Sequence, residues 1–236
     1  MGVKVAGLQK LDLLRIMETS READRREGIL LRQSKGWFTV GGSGHEGVAA
    51  LAYTLRSDDV IFPYYRDRAL CLARGLTLDD MAHAYFATAE SMSRGRQMPS
   101  HFGDWNKRVF SVATPTTSQC LPAAGAAWAA KLDASDRVVV CCVGEASIRQ
   151  GEYYEALAFA IQEDLPLIFV IEDNGFGIST PTLRHNPYRL GVFDRSRTVA
   201  VDARDVEAMY TTGQSAVERG RAGGGPTILW CEMDRL

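Results

Sequence analysis

Two oxygen-bearing side chains, Glu145 and Asn174, follow two apolar segments of the sequence. These segments, residues 137–144 and 166–171, are typical of strands that are buried on both faces. Because ligands of such sheets bind at the carboxyl ends of the strands, we expect both side chains to face one crevice. A carboxylate and an amide suit Mg²⁺, which binds one or two protein oxygens and completes its shell with phosphate and water. The alternative is that both residues only cap turns.

A second candidate for binding a phosphorylated ligand is the pair Tyr65 and Arg66. The pair comes at the end of a predicted strand, residues 60–65. An arginine donates two parallel hydrogen bonds to a phosphate group, and a tyrosine hydroxyl donates one more. The pattern therefore indicates a diphosphate contact, although Tyr-Arg pairs also occur in ordinary surface packing.

The segment between Glu145 and Asn174 must contain the helix that connects the two strands. Residues 151–163 have helical periodicity, so the unit is a βαβ unit with parallel strands and a right-handed crossover. The start of this helix is expected to help hold an anion through its free backbone N–H groups. The predicted apolar face consists of Tyr154, Leu157, Ala158 and Ile161.

The remaining patterns extend this unit into an α/β fold, a parallel sheet with helices on both faces, in one domain of residues 1–236. Further helices are predicted at residues 8–35, 77–91, 121–131 and 205–220, and further strands at 197–201 and 227–232. In the first helix, Leu11, Leu14 and Met17 are expected to face the core. Its charged middle, residues 21–27, is expected to face solvent.

The composition is that of an ordinary globular protein and excludes several classes. The 236 residues are 46% hydrophobic and 24% charged, with a formal net charge of −2. This balance argues against nucleic acid or an anionic membrane as a partner. No apolar run has membrane-spanning length, and the N-terminus lacks a signal-peptide pattern. The five cysteines form no CxxC pair, so we expect buried thiols and a cytoplasmic location.

Three phrases of the sequence resemble one enzyme family. Gly144-Glu145, followed by a helix and a strand that ends in Asp173-Asn174, resembles the thiamine diphosphate motif of the α chain of E1 components of 2-oxo acid dehydrogenase complexes. The phrases GRQMPSHFG (residues 95–103) and ISTPT (residues 178–182) resemble the branched-chain, or 2-oxoisovalerate, type. Ala146 departs from the motif, which has glycine there, and Asp173 replaces an asparagine that is not a metal ligand. The resemblance covers about residues 11–232.

The resemblance implies a set of site residues. The Glu145 and Asn174 side chains and the Phe176 carbonyl would bind Mg²⁺, and Ser118 and Gln119 match the ligands of a second, structural K⁺. His101 lies in a family phrase and is the candidate catalytic residue, although a lone histidine in a loop is more often structural. The residues implied to contact thiamine diphosphate are Tyr65, Arg66, Thr114, Thr116, Gly144, Glu145, Ala146, Ser147, Asn174, Phe176 and Ile178.

The function implied is that of an E1 α chain, which decarboxylates a branched-chain 2-oxo acid and transfers the acyl group to the lipoyl domain of E2. Such chains work with an E1 β chain, whose glutamate activates the cofactor, in an α2β2 heterotetramer. The family continues beyond the last predicted strand into a histidine-bearing loop, which we expect to be absent from residues 1–236. Pyruvate or acetoin E1 α chains, and a non-catalytic subunit with the same fold, are the alternatives.

Overall fold

Seven short strands form the β-structure of the computed structural model, which describes residues 7–184, 186–188, 190–191 and 195–236. His185 lies outside the described residues. Five of the strands are parallel neighbours, and β4 and β5 form a separate antiparallel hairpin. The strands are β1 (Val60–Phe62), β2 (Val139–Gly144), β3 (Leu167–Asp173), β4 (Phe176–Gly177), β5 (Thr180–Pro181), β6 (Thr198–Asp202) and β7 (Thr227–Glu232). The order in the main sheet is β1-β2-β3-β7-β6, and the predicted parallel pairing of β2 with β3 is confirmed.

Helices cover both faces of this sheet, as predicted. The helices are α1 (Lys10–Arg32), α2 (Arg68–Ala73), α3 (Leu78–Tyr85), α4 (Cys120–Leu132), α5 (Gly151–Gln162) and α6 (Val206–Arg221). Helices α4 and α5 pack on one face, and the others pack on the opposite face together with a 3-10 helix, Glu46–Thr54. Because successive residues of β2 alternate between the two faces, Cys141 and Cys142 lie in different cores. Among the described residues, no helix is long and apolar enough to cross a membrane.

The predicted core face of α1 is wrong at Leu11 and Leu14, whereas the predicted Met17 is partly buried against the core. Leu11 and Leu14 are 73% and 52% exposed, whereas Leu13 is 1% exposed. The buried positions of α1 are Leu13, Ser20 and Glu27. The charged middle of this helix is therefore not wholly solvated: buried Arg68 donates to the Glu27 carboxylate at 2.7 Å. The partner that pairs these charges lies on α2, so the pattern of α1 alone could not reveal it.

The predicted apolar face of α5 is also displaced, and only Leu157 of the predicted set is buried. The buried residues are Tyr153, Ala156, Leu157 and Ala160. Both sides of this helix carry apolar residues, and the side with Tyr153, Ala156 and Ala160 packs in one core with the alanines of α4. The helix begins at Gly151, as predicted, and a 3-10 turn, Ser147–Arg149, lies between Glu145 and its start. Helix α3 ends at Tyr85 instead of residue 91, and Thr77 before it forms a capping box with Asp80.

The amino end of the sheet is anchored by the fully buried Asp59. Its carboxylate accepts from the Val138 and Arg56 backbone N–H groups at 2.9 and 2.7 Å. It also accepts two hydrogen bonds from the Arg221 guanidinium, at 3.1 and 2.5 Å. One side chain therefore links β1, β2 and the end of α6, and it does so at the edge opposite the carboxyl ends of the strands.

Candidate cofactor-binding site

A cavity of about 310 Å³ opens at the carboxyl ends of β1, β2 and β3. All of the predicted cofactor contacts except Thr114 line it. These are Tyr65, Arg66, Thr116, Gly144, Glu145, Ala146, Ser147, Asn174, Phe176 and Ile178. The fold therefore brings together residues from four separate parts of the chain.

A larger groove, of about 520 Å³, lies between α1 and α3. Its lining is mostly apolar, and four of its five charged residues form ion pairs with one another, Arg26 with Glu22 and Arg68 with Glu27. The smaller cavity is the better candidate for a charged ligand, because its polar side chains converge from different strands.

Glu145 is a buried carboxylate at the wall of the cavity. The Thr182 hydroxyl donates to its Oε1 at 3.0 Å, and no cation among the described residues lies within ion-pair distance of it. Burial raises the pKa of Glu145, and the negative charge of Asp173 raises it further. A divalent cation would compensate this charge, so the donor fits the predicted role.

Asn174 lines the cavity beside Glu145. Its Oδ1 accepts from the Phe176 backbone N–H at 3.0 Å, and its Nδ2 lies 3.0 Å from Nε2 of His45. An amide oxygen has two lone pairs, so Oδ1 keeps one for a metal ion. Phe176, whose carbonyl is the third predicted ligand, is 47% exposed at the cavity mouth.

Contacts within the protein orient the guanidinium group of Arg66. Its Nη1 donates to the Gly41 carbonyl, and its guanidinium carbon lies 5.2 Å from the centre of the Tyr65 ring. The remaining N–H groups of the side chain are available to an anion in the cavity. The loop that contains Gly41 also needs glycine at position 42, since a Cβ on Gly42 would lie 2.5 Å from the Arg66 carbonyl oxygen.

Ile178 adopts a strained conformation at the same cavity. Its φ is +57°, a left-handed value that is unusual for a β-branched residue, and its side chain is 88% exposed. The Arg235 guanidinium donates to its carbonyl. Strain of this kind concentrates at functional sites, so the conformation agrees with the predicted cofactor contact.

Ala146, which replaces a glycine of the family motif, lies against another glycine of the cavity, Gly177. A Cβ built on Gly177 would lie 2.7 Å from the Ala146 methyl group. The methyl group of Ala146 therefore occupies the space that a side chain at position 177 would need. Because position 177 is glycine, there is space for the methyl group that Ala146 adds to the motif.

The contact between these positions predicts that substitutions at 146 and 177 have non-additive effects on stability. We expect Gly177→Ala to destabilise the chain by about 1–3 kcal/mol, because it overpacks the contact with Ala146. The double variant Ala146→Gly with Gly177→Ala should recover most of the loss. Urea unfolding of the wild type, both single variants and the double variant measures this. Strictly additive effects would show that the two positions do not compete for space.

A buried polar network behind Asn174 was missed by sequence reasoning. His45 Nδ1 lies 2.6 Å from Oε2 of Glu172, and the Tyr64 hydroxyl lies 3.3 Å from the same nitrogen. Asp67 lies beside Glu172, and these two carboxylates and the Cys142 thiol have ligand atoms within 4.8 Å of one another. The only hint in the sequence was an acidic residue, Glu172, inside an apolar strand.

Burial dominates the electrostatics of this network. It raises the pKa of Glu172 to about 7 and that of Asp67 well above its usual range. It lowers the pKa of His45 to about 4, and the positive charge of Arg66 acts in the same direction. The histidine is therefore neutral at neutral pH. By contrast, Glu46 beside it forms a two-point ion pair with Arg21, which agrees with a structural role.

Four predicted residues lie outside the main cavity. Thr114 is exposed. His101 is buried, with Nδ1 at 2.9 Å from the Pro99 carbonyl, so its catalytic role stays a prediction. Gln119 lines a small cavity of about 10 Å³ that adjoins the main one. Its Nε2 donates to the Cys142 carbonyl at 2.8 Å, and its Oε1 has no hydrogen-bond partner in the described part of the chain. Ser118 does not line that cavity.

Comparisons with known proteins agree with these features. A family model described as "Dehydrogenase E1 component" matches residues 14–236. The 2-oxoisovalerate dehydrogenase subunit alpha of Bacillus subtilis is 34% identical over 229 residues, which are 94% of this chain and 69% of that protein. The mitochondrial protein of the same name from Mus musculus is 29% identical, over 94% of this chain and 50% of that protein.

A solved structure with the same fold is transketolase from Campylobacter jejuni. The TM-score is 0.64 at 17% sequence identity, over 99% of this chain and 38% of that chain. This likeness confirms the fold. The chain spans about two thirds of the bacterial relative and half of the mouse relative, so the activities of those longer proteins do not transfer with the match alone.

Proposed function

Because the chain belongs to the dehydrogenase E1 component family, we propose that it is the α chain of a branched-chain 2-oxo acid dehydrogenase E1 that binds Mg²⁺ and thiamine diphosphate. The observation that supports this most is the convergence of Glu145, Asn174 and Arg66 on one cavity. The relatives named 2-oxoisovalerate dehydrogenase subunit alpha support the branched-chain assignment.

Different residues of the cavity would bind the metal ion and the diphosphate. Glu145, Asn174 and the Phe176 carbonyl would hold Mg²⁺, and Arg66 and Tyr65 would donate to the diphosphate. Ile178 and Phe176, exposed at the mouth, offer apolar contact to the rings of the cofactor. When bound, thiamine diphosphate supplies the carbanion chemistry of decarboxylation, and the protein supplies binding and orientation.

The proposed function includes assembly with a partner, an E1 β chain. The cavity is open at its mouth, where Phe176 and Ile178 present apolar surface. Helix α4 exposes further large apolar side chains, Leu121, Trp128 and Leu132. These surfaces support assembly with an E1 β chain in an α2β2 heterotetramer, which would then transfer the acyl group to the lipoyl domain of E2.

The second ion and the location are also proposed. The buried, unpartnered Oε1 of Gln119 supports K⁺ in the small cavity beside Thr116. The five buried free cysteines support a reducing compartment such as the cytoplasm.

The rival functions differ in substrate or in activity. Pyruvate and acetoin E1 α chains would share the cofactor site, so turnover of 2-oxoisovalerate, pyruvate and acetoin by the assembled enzyme separates them. One feature that favours a non-catalytic subunit is the departure from the motif at Ala146. The structure weakens this argument, because Gly177 leaves space for the Ala146 methyl group.

We predict that Mg²⁺-dependent binding of thiamine diphosphate requires the partner chain. The chain has groups for the metal and the diphosphate, but in the described residues the cavity has no carboxylate beyond the metal-binding Glu145 to activate the aminopyrimidine. Calorimetric titration of the chain alone should show weak or no binding, and co-purification with an E1 β chain should restore it. Equally tight binding by the lone chain would contradict the shared site, and no binding by the assembly would contradict the proposed function.

A further inference from the structure

The amide of Asn174 is held by two hydrogen bonds that fix its orientation. The backbone N–H of Phe176 can only donate, so the atom that it contacts at 3.0 Å must be the amide oxygen. The amide nitrogen then faces Nε2 of His45, also at 3.0 Å. The orientation follows from donor and acceptor chemistry on both sides of the amide.

The same chemistry assigns the tautomer of His45. The Asn174 amide nitrogen is a donor, so Nε2 must accept and carries no proton. The proton of the neutral ring therefore lies on Nδ1, which donates to Oε2 of Glu172 at 2.6 Å. Glu172 thus selects the tautomer that can receive the hydrogen bond from Asn174.

The surrounding fold leaves the ring little freedom. His45 is 3% exposed and precedes the 3-10 helix Glu46–Thr54. Gly44 before it has φ +96°, and a Cβ there would lie 2.1 Å from the Asp234 carbonyl oxygen. On the other side, Glu172 belongs to the central strand β3 and is fully buried. A rigid strand therefore fixes one end of the hydrogen-bonded chain from Glu172 through His45 to Asn174.

We propose that His45 is a positioning residue for the metal site: it holds the Asn174 amide nitrogen so that Oδ1 stays available to the cation. The inference rests on the proposed function for the presence of Mg²⁺. Without the acceptor at Nε2, the amide of Asn174 keeps one hydrogen bond within the described residues, from the Phe176 N–H, and it can turn away from the site. Partners that orient a metal ligand in this way typically change metal affinity by about 10–100-fold when they are lost.

Two amide substitutions separate positioning from simple packing. Glutamine at position 45 places its amide near the place of Nε2 and can accept from Asn174, whereas asparagine places its amide near Nδ1 and can contact only Glu172. With the chain assembled with its E1 β partner, Mg²⁺ is titrated at a fixed, saturating concentration of thiamine diphosphate and followed by tryptophan fluorescence. We expect His45→Asn to raise the half-saturating Mg²⁺ concentration at least about tenfold, and His45→Gln to keep it near the wild-type value.

His83 provides the matched control. It lies in α3, partly buried, with Nδ1 at 2.8 Å from the Thr88 hydroxyl. His83→Asn and His83→Gln should both leave the Mg²⁺ titration unchanged. Melting temperatures without Mg²⁺ and cofactor test folding, and His45→Leu gives a second measurement of the lost contact where His45→Asn does not fold.

The outcomes distinguish the two proposals. If both amide variants of His45 behave as the wild type, or if both weaken Mg²⁺ binding equally, His45 does not position Asn174 and the inference is overturned. If the wild-type assembly shows no Mg²⁺-dependent binding at all, the proposed function fails first. Weak Mg²⁺ binding by His45→Asn with recovery by His45→Gln supports the positioning role.

Discussion

Replacing Glu145 by alanine is expected to abolish Mg²⁺-dependent binding of thiamine diphosphate while the chain stays folded. The loss should exceed about 100-fold, because even the partners of metal ligands typically contribute 10–100-fold. Glu145 supplies the only carboxylate among the predicted Mg²⁺ ligands, and its pKa is already raised by burial. Calorimetric titration of the cofactor into the assembly, with and without Mg²⁺, measures the effect.

The folding of this variant needs a separate measurement. In the absence of metal, the substitution removes a buried charge that has no cationic partner among the described residues. The melting temperature without cofactor at neutral pH should therefore stay equal to that of the wild type or rise. Glu155→Ala, on the exposed side of α5, is the matched control and should bind normally. Normal cofactor binding by Glu145→Ala would show that this carboxylate is not the ligand.

Among the substitutions considered, replacing Asp59 by alanine is expected to lower the free energy of unfolding most. Breaking a buried ion pair by removing one partner typically costs about 3–5 kcal/mol, which is a large part of the 5–15 kcal/mol that stabilises a typical domain. The substitution leaves the Arg221 guanidinium and the backbone N–H groups of Val138 and Arg56 without their shared acceptor. Urea unfolding followed by circular dichroism measures the free energy of unfolding.

Asp136 is the matched control for this prediction. It also forms an ion pair at the same edge, with Arg56, but its side chain is 61% exposed. Exposed ion pairs usually contribute less than about 1 kcal/mol, so Asp136→Ala should change the free energy of unfolding only slightly. Equal effects of the two substitutions would show that Asp59 does not anchor the sheet.

Local patterns in the sequence were sufficient for the strands of the main sheet and for four residues of the cavity. A buried parallel strand is a short apolar run, and the polar residue that follows it must lie at the carboxyl edge of the sheet. Glu145 and Asn174 could be placed at one crevice for this reason, and Tyr65 and Arg66 could be recognised as a second candidate at a strand end. The family resemblance added six further residues that line the cavity, namely Thr116, Gly144, Ala146, Ser147, Phe176 and Ile178.

Tertiary packing decided which helix faces are buried. In α1 the core positions include Ser20 and Glu27, which no hydrophobic pattern selects, and Glu27 is buried because Arg68 pairs with it. In α5 both sides carry apolar residues, and contact with α4 buries the side with Tyr153, Ala156 and Ala160. Periodicity shows that a helix is amphipathic, but the neighbouring element determines how much of each side is covered.

The sequence by itself determined the α/β fold, the family and the edge of the sheet at which the cavity lies, because strands and their terminal residues are encoded locally. Only the tertiary structure decided how Asn174 is held and how Ala146 is accommodated. His45 and Asn174 meet across the fold, as do Ala146 and Gly177. Such contacts depend on the distances between whole elements, and those distances arise when the sheet, its helices and its loops pack together.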